Sequence, residues 1–241
     1  QLTHGLGMTR WFKERRERYN DARALPITVG SSRLDSFRRQ FSKGTPIANL
    51  QPSILLVPNI IARFDRYLDC GNFPDVTEAE IQAEMVNIAR EFPQYDFVYK
   101  AFSGQVDTPA MRIARQPGSN CRGLYSGQLA DLMQTSDLIV LNFPSSAMIE
   151  ALCTDRPLII LVDNCSIRIL PEAQKALEKR AIVAETPQQF IEAIRNFLRR
   201  GDFSRVANPD QSFLELYGTY SNDGCSAERA FAEIVNSRSE S

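Results

Sequence analysis

One histidine, one tryptophan and no apolar run approaching a membrane span of roughly 20 residues are the first scarcities in this chain of 241 residues. A lone histidine, with five cysteines (Cys70, Cys121, Cys153, Cys165, Cys225) that form no C-x-x-C pair, leaves no ligand set for a zinc site. The odd cysteine count and scattered spacing point to reduced thiols in a cytoplasmic protein rather than to a disulfide framework. There is no G-x-G-x-x-G, so a nicotinamide or flavin is not expected, and no cofactor of another kind is suggested. Neither G-x-x-x-x-G-K-[ST] nor G-x-S-x-G occurs, which argues against a P-loop nucleoside triphosphatase and an α/β hydrolase. A signal peptide is missing too: a basic stretch stands where its apolar centre would be. The chain begins at Gln1 rather than methionine, as expected of a piece of something longer.

What is present is a globular composition, 43% hydrophobic and 9% aromatic, enough for a substantial core. The formal net charge is only −1, but it is unevenly spread. Residues 1–43 carry ten Lys or Arg against four acids, a surplus of six that leaves the remainder at −7. The basic segment therefore meets something anionic: a phosphorylated substrate, a membrane surface or an acidic face of the same fold. Nucleic-acid binding has no support beyond this segment, and none is expected.

The most informative stretch is residues 129–164, LADLMQTSDLIVLNFPSSAMIEALCTDRPLIILVDN, which reads as helix, strand, helix, strand. Residues 137–143 and 158–162 are short runs of branched apolar side chains, the pattern of parallel strands buried on both faces. Between them a helix is expected to start after Pro144 and to be broken by Thr154-Asp155-Arg156-Pro157. A phosphate at such a helix start meets unpaired N–H groups and the positive end of the dipole, and Ser145 and Ser146 would add hydroxyls. Glu150, one turn after Ser146, would face ribose hydroxyls. Spacing alone equally allows one serine to be a helix cap and Glu150 to be solvated or paired with Arg156.

Elsewhere the alternation predicts a doubly wound, mostly parallel α/β sheet with helices on both faces, built from residues 54–57, 97–102, 138–143, 158–162 and 182–184. Residues 138–143 should lie centrally, and residues 121–125 should form a short edge strand. The first strand ends at Pro58-Asn59, which lines the carboxyl edge where ligands of such sheets bind. Thr77 and Glu80 predict a capping box ahead of the stripe Ile81, Met85, Ile88 and Ala89. Residues 9–24 read as a charged helix, residues 27–35 as a strand and Gly-Ser turn, and a helix starts near Phe37. Residues 43–46, 63–75 and 103–120 read as loops, the second long enough to suggest a function. Thr186-Pro187 caps a helix over residues 188–199, Pro171 starts another, and the last helix runs over residues 226–235.

The order S-D-L-I-V-L-N-F-P-S-S-A-M-I-E-A-L-C-T-D-R-P-L-I-I-L resembles the C-terminal domain of GT-B fold transferases, in particular the CDP-glycerol glycerophosphotransferase-like and capsule or surface-polysaccharide transferases. Ser145, Ser146, Glu150 and Arg156-Pro157 match that family's serine pair, helix acid and "rP" step. Further matches are residues 27–35, which resemble the "vGspRlD" element, and the tail "fl..yg...DG.sa.R" at Phe213-Leu214 through Tyr217-Gly218, Asp223-Gly224 and Ala227-Glu228-Arg229. Gln1, His4 and Gly5 match a Q-x-x-H-G motif that faces the cleft between the family's two domains. The resemblance covers most of the chain from Ser53 onward. It implies a nucleotide-activated donor held by Ser145, Ser146, Glu150, Asn59 and Lys100, with His4 as catalytic base or donor to the leaving phosphate. Lys100 departs from the pattern, since Ala101-Phe102 replaces the histidine-proline pair that follows it in the family.

The implied organisation is an N-terminal remnant and linker over residues 1–50, a nucleotide-binding domain over 51–235 and a disordered tail over 236–241. The implied function is transfer of a glycosyl or glycerophosphoryl group to a polysaccharide, teichoic-acid-like or lipid-linked acceptor in the bacterial cytoplasm, with peripheral contact at the inner face of the membrane through the basic segment. The alternatives are a nucleotide-sugar 2-epimerase-like enzyme, which lacks here the expected acidic and histidine pairs, and a nucleotide-binding domain without catalysis.

Overall fold

Short, uninterrupted apolar runs become strands here because only the centre of a parallel sheet buries both faces of an extended chain. The computed structural model describes residues 2–19, 26–43, 51–61, 73–105, 107–165, 167 and 169–239. In order these form β1 (Leu2–Thr3), α1 (Leu6–Tyr19), β2 (Ile27–Thr28), α2 (Ser32–Lys43), β3 (Ser53–Val57), α3 (Asp75–Glu91), β4 (Asp96–Lys100), α4 (Pro109–Ala114), β5 (Cys121–Leu124), α5 (Leu129–Thr135), β6 (Leu138–Leu141), α6 (Ser146–Leu152), β7 (Leu158–Leu161), α7 (Pro171–Glu178), β8 (Ile182–Ala184), α8 (Pro187–Arg200), a π-helical turn (Leu214–Gly218) and α9 (Ser226–Ser239).

Packing divides the chain into two units. The sheet unit comprises Thr45–Leu170 and Ala181–Asn208. Its six strands are all parallel, in the order β5-β4-β3-β6-β7-β8, so β6 is central as expected and β5 is an edge. Every side chain of β6 and β7 is buried. Ile54, Leu56, Phe97, Tyr99, Leu138, Val140, Ile159 and Leu161 pack in one core with Met85 and Ile88 of α3, Met111 of α4, and Phe190 and Ile194 of α8. The alternate residues Leu55, Val98, Ile139 and Ile160 face the other way and are equally buried, on the side of α5 and α6. Full burial of each such side chain contributes about 1.5–3 kcal/mol.

The small unit comprises Gln1–Gly44, Pro171–Arg180 and Pro209–Ser241. The expected boundary at residue 50, with all later helices on the sheet domain, is thus not the division that packing makes. The reason lies in the tail motif. Asp35 accepts hydrogen bonds from the Ser226 backbone (2.7 Å) and hydroxyl (3.0 Å), tying α2 to the start of α9. Arg229 donates to the Val29 carbonyl (2.8 Å), the Tyr220 carbonyl (3.1 Å) and both oxygens of Asp223 (2.9 and 2.7 Å). Gly30 sits at φ +94°, where an added Cβ would lie 2.3 Å from the Ser226 hydroxyl. The two sequence motifs at opposite ends of the chain are therefore halves of one structural joint.

Several boundaries differ from expectation. The capping box does not form: α3 starts at Asp75 behind Pro74, which places Thr77 inside the helix. Residues 103–120 contain α4, whose Thr108 hydroxyl accepts from the Met111 N–H at 3.2 Å. β4 ends at Lys100, two residues early, and α2 starts at Ser32, taking in residues expected to be extended. α9 continues to Ser239, past the expected end at residue 235 and into the segment expected to be disordered. Most of the long loop expected at 63–75, and residues 44–46 of that at 43–46, lie outside the described residues, as do residues 20–24 of the first expected helix. The expected helix cap at Thr186 forms, accepting from the Gln189 N–H at 3.2 Å.

Candidate functional site

The sheet grows outward from β3 through β4 to β5, then returns to the other side of β3 for β6, β7 and β8. In chain order this is 3-2-1-4-5-6, and the connections diverge where β3 and β6 lie side by side, with Val57 paired to Leu141. A crevice outside the carboxyl ends of two such strands is the usual ligand position of doubly wound sheets. Asn59 follows the end of β3, Ser145 and Ser146 follow β6, and Lys100 closes β4 on the adjacent position, so all four expected donor residues of these strands occupy the carboxyl edge.

The backbone at this edge is fixed by a buried polar network that the sequence reading missed. The Asn142 side-chain oxygen accepts from the Asn59 N–H (2.6 Å), and Gln82 donates to the Asn59 carbonyl (2.8 Å). Gln82 and the Asn142 amide both donate to Oε1 of Glu78, the former at 2.7 Å, and the Tyr99 hydroxyl donates to Gln82 at 2.7 Å. Glu78, Gln82, Tyr99 and Asn142 are each 0–1% exposed. Burial drives the Glu78 carboxyl above the usual glutamate range, against the lowering effect of its bonds from Gln82 and Asn142. Two signals were available in the sequence. Glu78 and Gln82 stand at i and i+4 on the flank of the buried stripe of α3, and Asn142 is a polar residue directly after four apolar ones.

At the start of α6, Ser145 is the N-cap, its hydroxyl accepting from the Ala147 N–H at 3.3 Å. Ser146 is exposed, whereas Glu150, one turn later on the same side, is buried. The Lys100 ammonium donates to the Ala101 carbonyl at 3.1 Å, and partial burial holds it below the ordinary lysine range. Arg156 lies at the opposite edge of the sheet, before β7, where it donates to the Gln134 carbonyl at 2.7 Å and approaches Asp137 at 3.6 Å. Its part in the matched motif is to join the end of α5 to the starts of β6 and β7.

His4 belongs to the small unit and is exposed; its carbonyl accepts from the Tyr220 N–H at 2.8 Å. The neighbouring glycines, expected to bring backbone close to a ligand, serve packing within that unit. A Cβ on Gly5 would lie 2.5 Å from the Leu216 carbonyl oxygen, and one on Gly7 would lie 2.8 Å from the Tyr217 ring. Among the described residues no cluster of three or more His, Cys, Asp or Glu is arranged to hold a metal, and no helix is long and apolar enough to cross a membrane.

No protein-family model matches the chain, and no curated protein matches it by sequence. Its fold is similar to that of UDP-GlcNAc 2-epimerase from Neisseria meningitidis, solved with UDP-GlcNAc, at a TM-score of 0.56 and 13% identity, covering 88% of this chain and 56% of that one. A further UDP-N-acetylglucosamine 2-epimerase aligns at 0.54 and 13% over 96% and 57% of the two chains. The UDP-forming α,α-trehalose-phosphate synthase from Burkholderia vietnamiensis aligns at 0.54 and 13% over 99% and 62%. The chain thus spans somewhat under two thirds of each of these proteins. At such identity the likeness is one of fold, a GT-B, Rossmann-like parallel sheet flanked by helices.

Proposed function

We propose that this chain carries the donor-binding half of a GT-B transferase that moves a glycosyl or glycerophosphoryl group from a nucleotide-activated donor to a hydroxyl of a surface-polymer or lipid-linked acceptor. The observation that carries the proposal is the reversal of strand order between β3 and β6, with Asn59, Ser145 and Ser146 following the carboxyl ends of those two strands. In this reading Ser146 and the Ser145 hydroxyl proton meet the donor phosphates, Glu150 accepts from the ribose, and Lys100 stands on the flank as a cation for phosphate. The bond from the transferred carbon or phosphorus to the nucleotide oxygen breaks as the acceptor oxygen bonds to that same atom. The acceptor's proton passes to a base, for which His4 is the candidate, and the nucleotide leaves with its negative charge. Helix α1 supports peripheral contact with an anionic membrane: Lys13, Arg15 and Arg18 are exposed, and Trp11 is half exposed beneath Arg15.

The test begins with thermal shift of the purified chain against CDP, CMP, UDP and GDP; stabilisation by at least one is expected, and a flat response to all four would overturn the donor site. Radiolabelled CDP-glycerol, and CMP- and UDP-sugars, offered with a membrane fraction then test transfer. Little or no transfer by this chain alone is the expected outcome, and turnover that depends on His4 would overturn it. Because orientation is worth roughly 7–11 kcal/mol, this chain alone is expected to be a poor catalyst if it spans only the donor side. Interconversion of a UDP-N-acetyl sugar at C2 without any acceptor would favour the epimerase reading instead.

A further inference from the structure

Both polar groups of the Asn59 backbone are held from inside the protein, its N–H by Asn142 and its carbonyl by Gln82. Asn142 and Gln82 come from different elements, yet both terminate on one atom, Oε1 of Glu78. Glu78 is 1% exposed, and its other oxygen, Oε2, has no hydrogen-bond partner. Burying a carboxyl with one oxygen unsatisfied is costly, and an apolar residue would fill the space more cheaply. Two residues further along, the Ile61 carbonyl accepts from Gln105 at 2.5 Å, so the segment is anchored at a second point. The carboxyl thus accepts from two side chains that each bond the Asn59 backbone leaving β3, while Gln82 also accepts from the Tyr99 hydroxyl on β4.

We propose that Glu78 is a positioning residue of the donor site: through Asn142 and Gln82 it fixes the backbone at Asn59, so that the carboxyl end of β3 presents one conformation to the donor. This rests on the reading of that edge as a nucleotide site. The side chain acts as a shared acceptor, so a neutral amide serves as well as an acid. Burial favours the uncharged form, which agrees with this.

The experiment uses the full chain as wild type, Glu78→Gln, Glu78→Leu and Glu78→Asp, the last withdrawing the acceptor by one methylene. Two quantities are read: amide exchange at Asn59 relative to Leu55 in the sheet, and affinity for whichever of UDP, CDP, CMP or GDP the wild type binds. Glu78→Gln is expected to match wild type in both. Glu78→Leu is expected to raise relative exchange at Asn59 about tenfold and to weaken nucleotide binding about tenfold, the scale of one hydrogen bond lost. Should Glu78→Leu not fold, Glu78→Asp is expected to move both quantities the same way by a smaller factor, with Leu55 unaffected. Unchanged exchange at Asn59 in the folded variants overturns the proposal, as does raised exchange with undiminished affinity. If the wild type binds none of the nucleotides, the donor reading fails, while the exchange rates still decide whether Glu78 fixes Asn59.

Discussion

Removal of the Asp35 carboxylate offers the sharpest test of the joint between the ends of the chain. Asp35 is 1% exposed and accepts from both the backbone N–H and the hydroxyl of Ser226, the first residue of α9. A hydrogen bond to a charged group contributes about 1.5–3 kcal/mol, and loss of a helix cap costs about 0.5–2 kcal/mol. These do not add in full, because the two bonds share one carboxylate, and its removal also relieves the cost of burying it. Asp35→Ala is therefore expected to destabilise the small unit by about 2–4 kcal/mol. Asp35→Asn keeps one acceptor oxygen and should lose about half as much. The only tryptophan, Trp11, lies in α1 of the same unit, so urea unfolding followed by its fluorescence reports the relevant transition. The midpoint should fall with little change in slope. A loss below about 0.5 kcal/mol in Asp35→Ala, the size of an ordinary surface change, would refute the joint.

Three further outcomes are expected. Gly30→Ala should cost at least about 1 kcal/mol by the same fluorescence assay, since it adds left-handed strain to the contact with Ser226; a neutral result would mean that the φ of +94° is not held in solution. Ser146→Trp and Glu150→Gln should each weaken nucleotide binding by about 1–3 kcal/mol by calorimetry with the fold intact; affinity equal to the parent's would remove that residue from the site. The raised Glu78 carboxyl binds its proton more tightly in the folded chain than in the unfolded one. Its contribution is fully present below about pH 4.3 and is lost as pH rises through the folded value. The stability of Glu78→Gln relative to wild type should therefore climb from about pH 4.3 upward and then level off, and a pH-independent difference would show that Glu78 does not titrate as described.

The middle of the sheet was legible because β3, β6 and β7 satisfy a one-dimensional rule: four branched apolar residues, then a break. β6, β7 and β8 fall within a residue or two of where that rule puts them. Helix starts were legible when proline followed a threonine, as at Thr186-Pro187, and Thr108-Pro109 carried the same signal unread. Thr77-x-x-Glu80 misled because Pro74, three residues earlier, starts the helix. The edge residues Asn59, Ser145 and Ser146 could be named from the strand ends, whereas Glu78 and Gln82 could not. The i, i+4 spacing of Glu78 and Gln82 marks them as a pair, but their further partners lie on β4, after β3 and after β6, and that spacing does not say which residues they will meet. The glycines after His4 show the reverse error: a flexible-looking stretch whose small residues are dictated by Leu216 and Tyr217.

The small unit is assembled from three separated pieces of chain, and this sets an order of events during synthesis. Residues 2–43 leave the ribosome before the sheet unit, but Tyr220, Ser226 and Arg229, which bond to His4, Asp35 and Val29, leave after it. The sheet unit is complete as soon as Asn208 has emerged, so it can fold while residues 2–43 still await their partners. Joining ends this distant also carries the larger loop-closure entropy, which slows the late step further. Pulse-labelled exchange during refolding should protect Leu55, Val140 and Ile159 before the Tyr220 and Ser226 amides. The opposite order would mean that the two ends find each other before the sheet between them has formed.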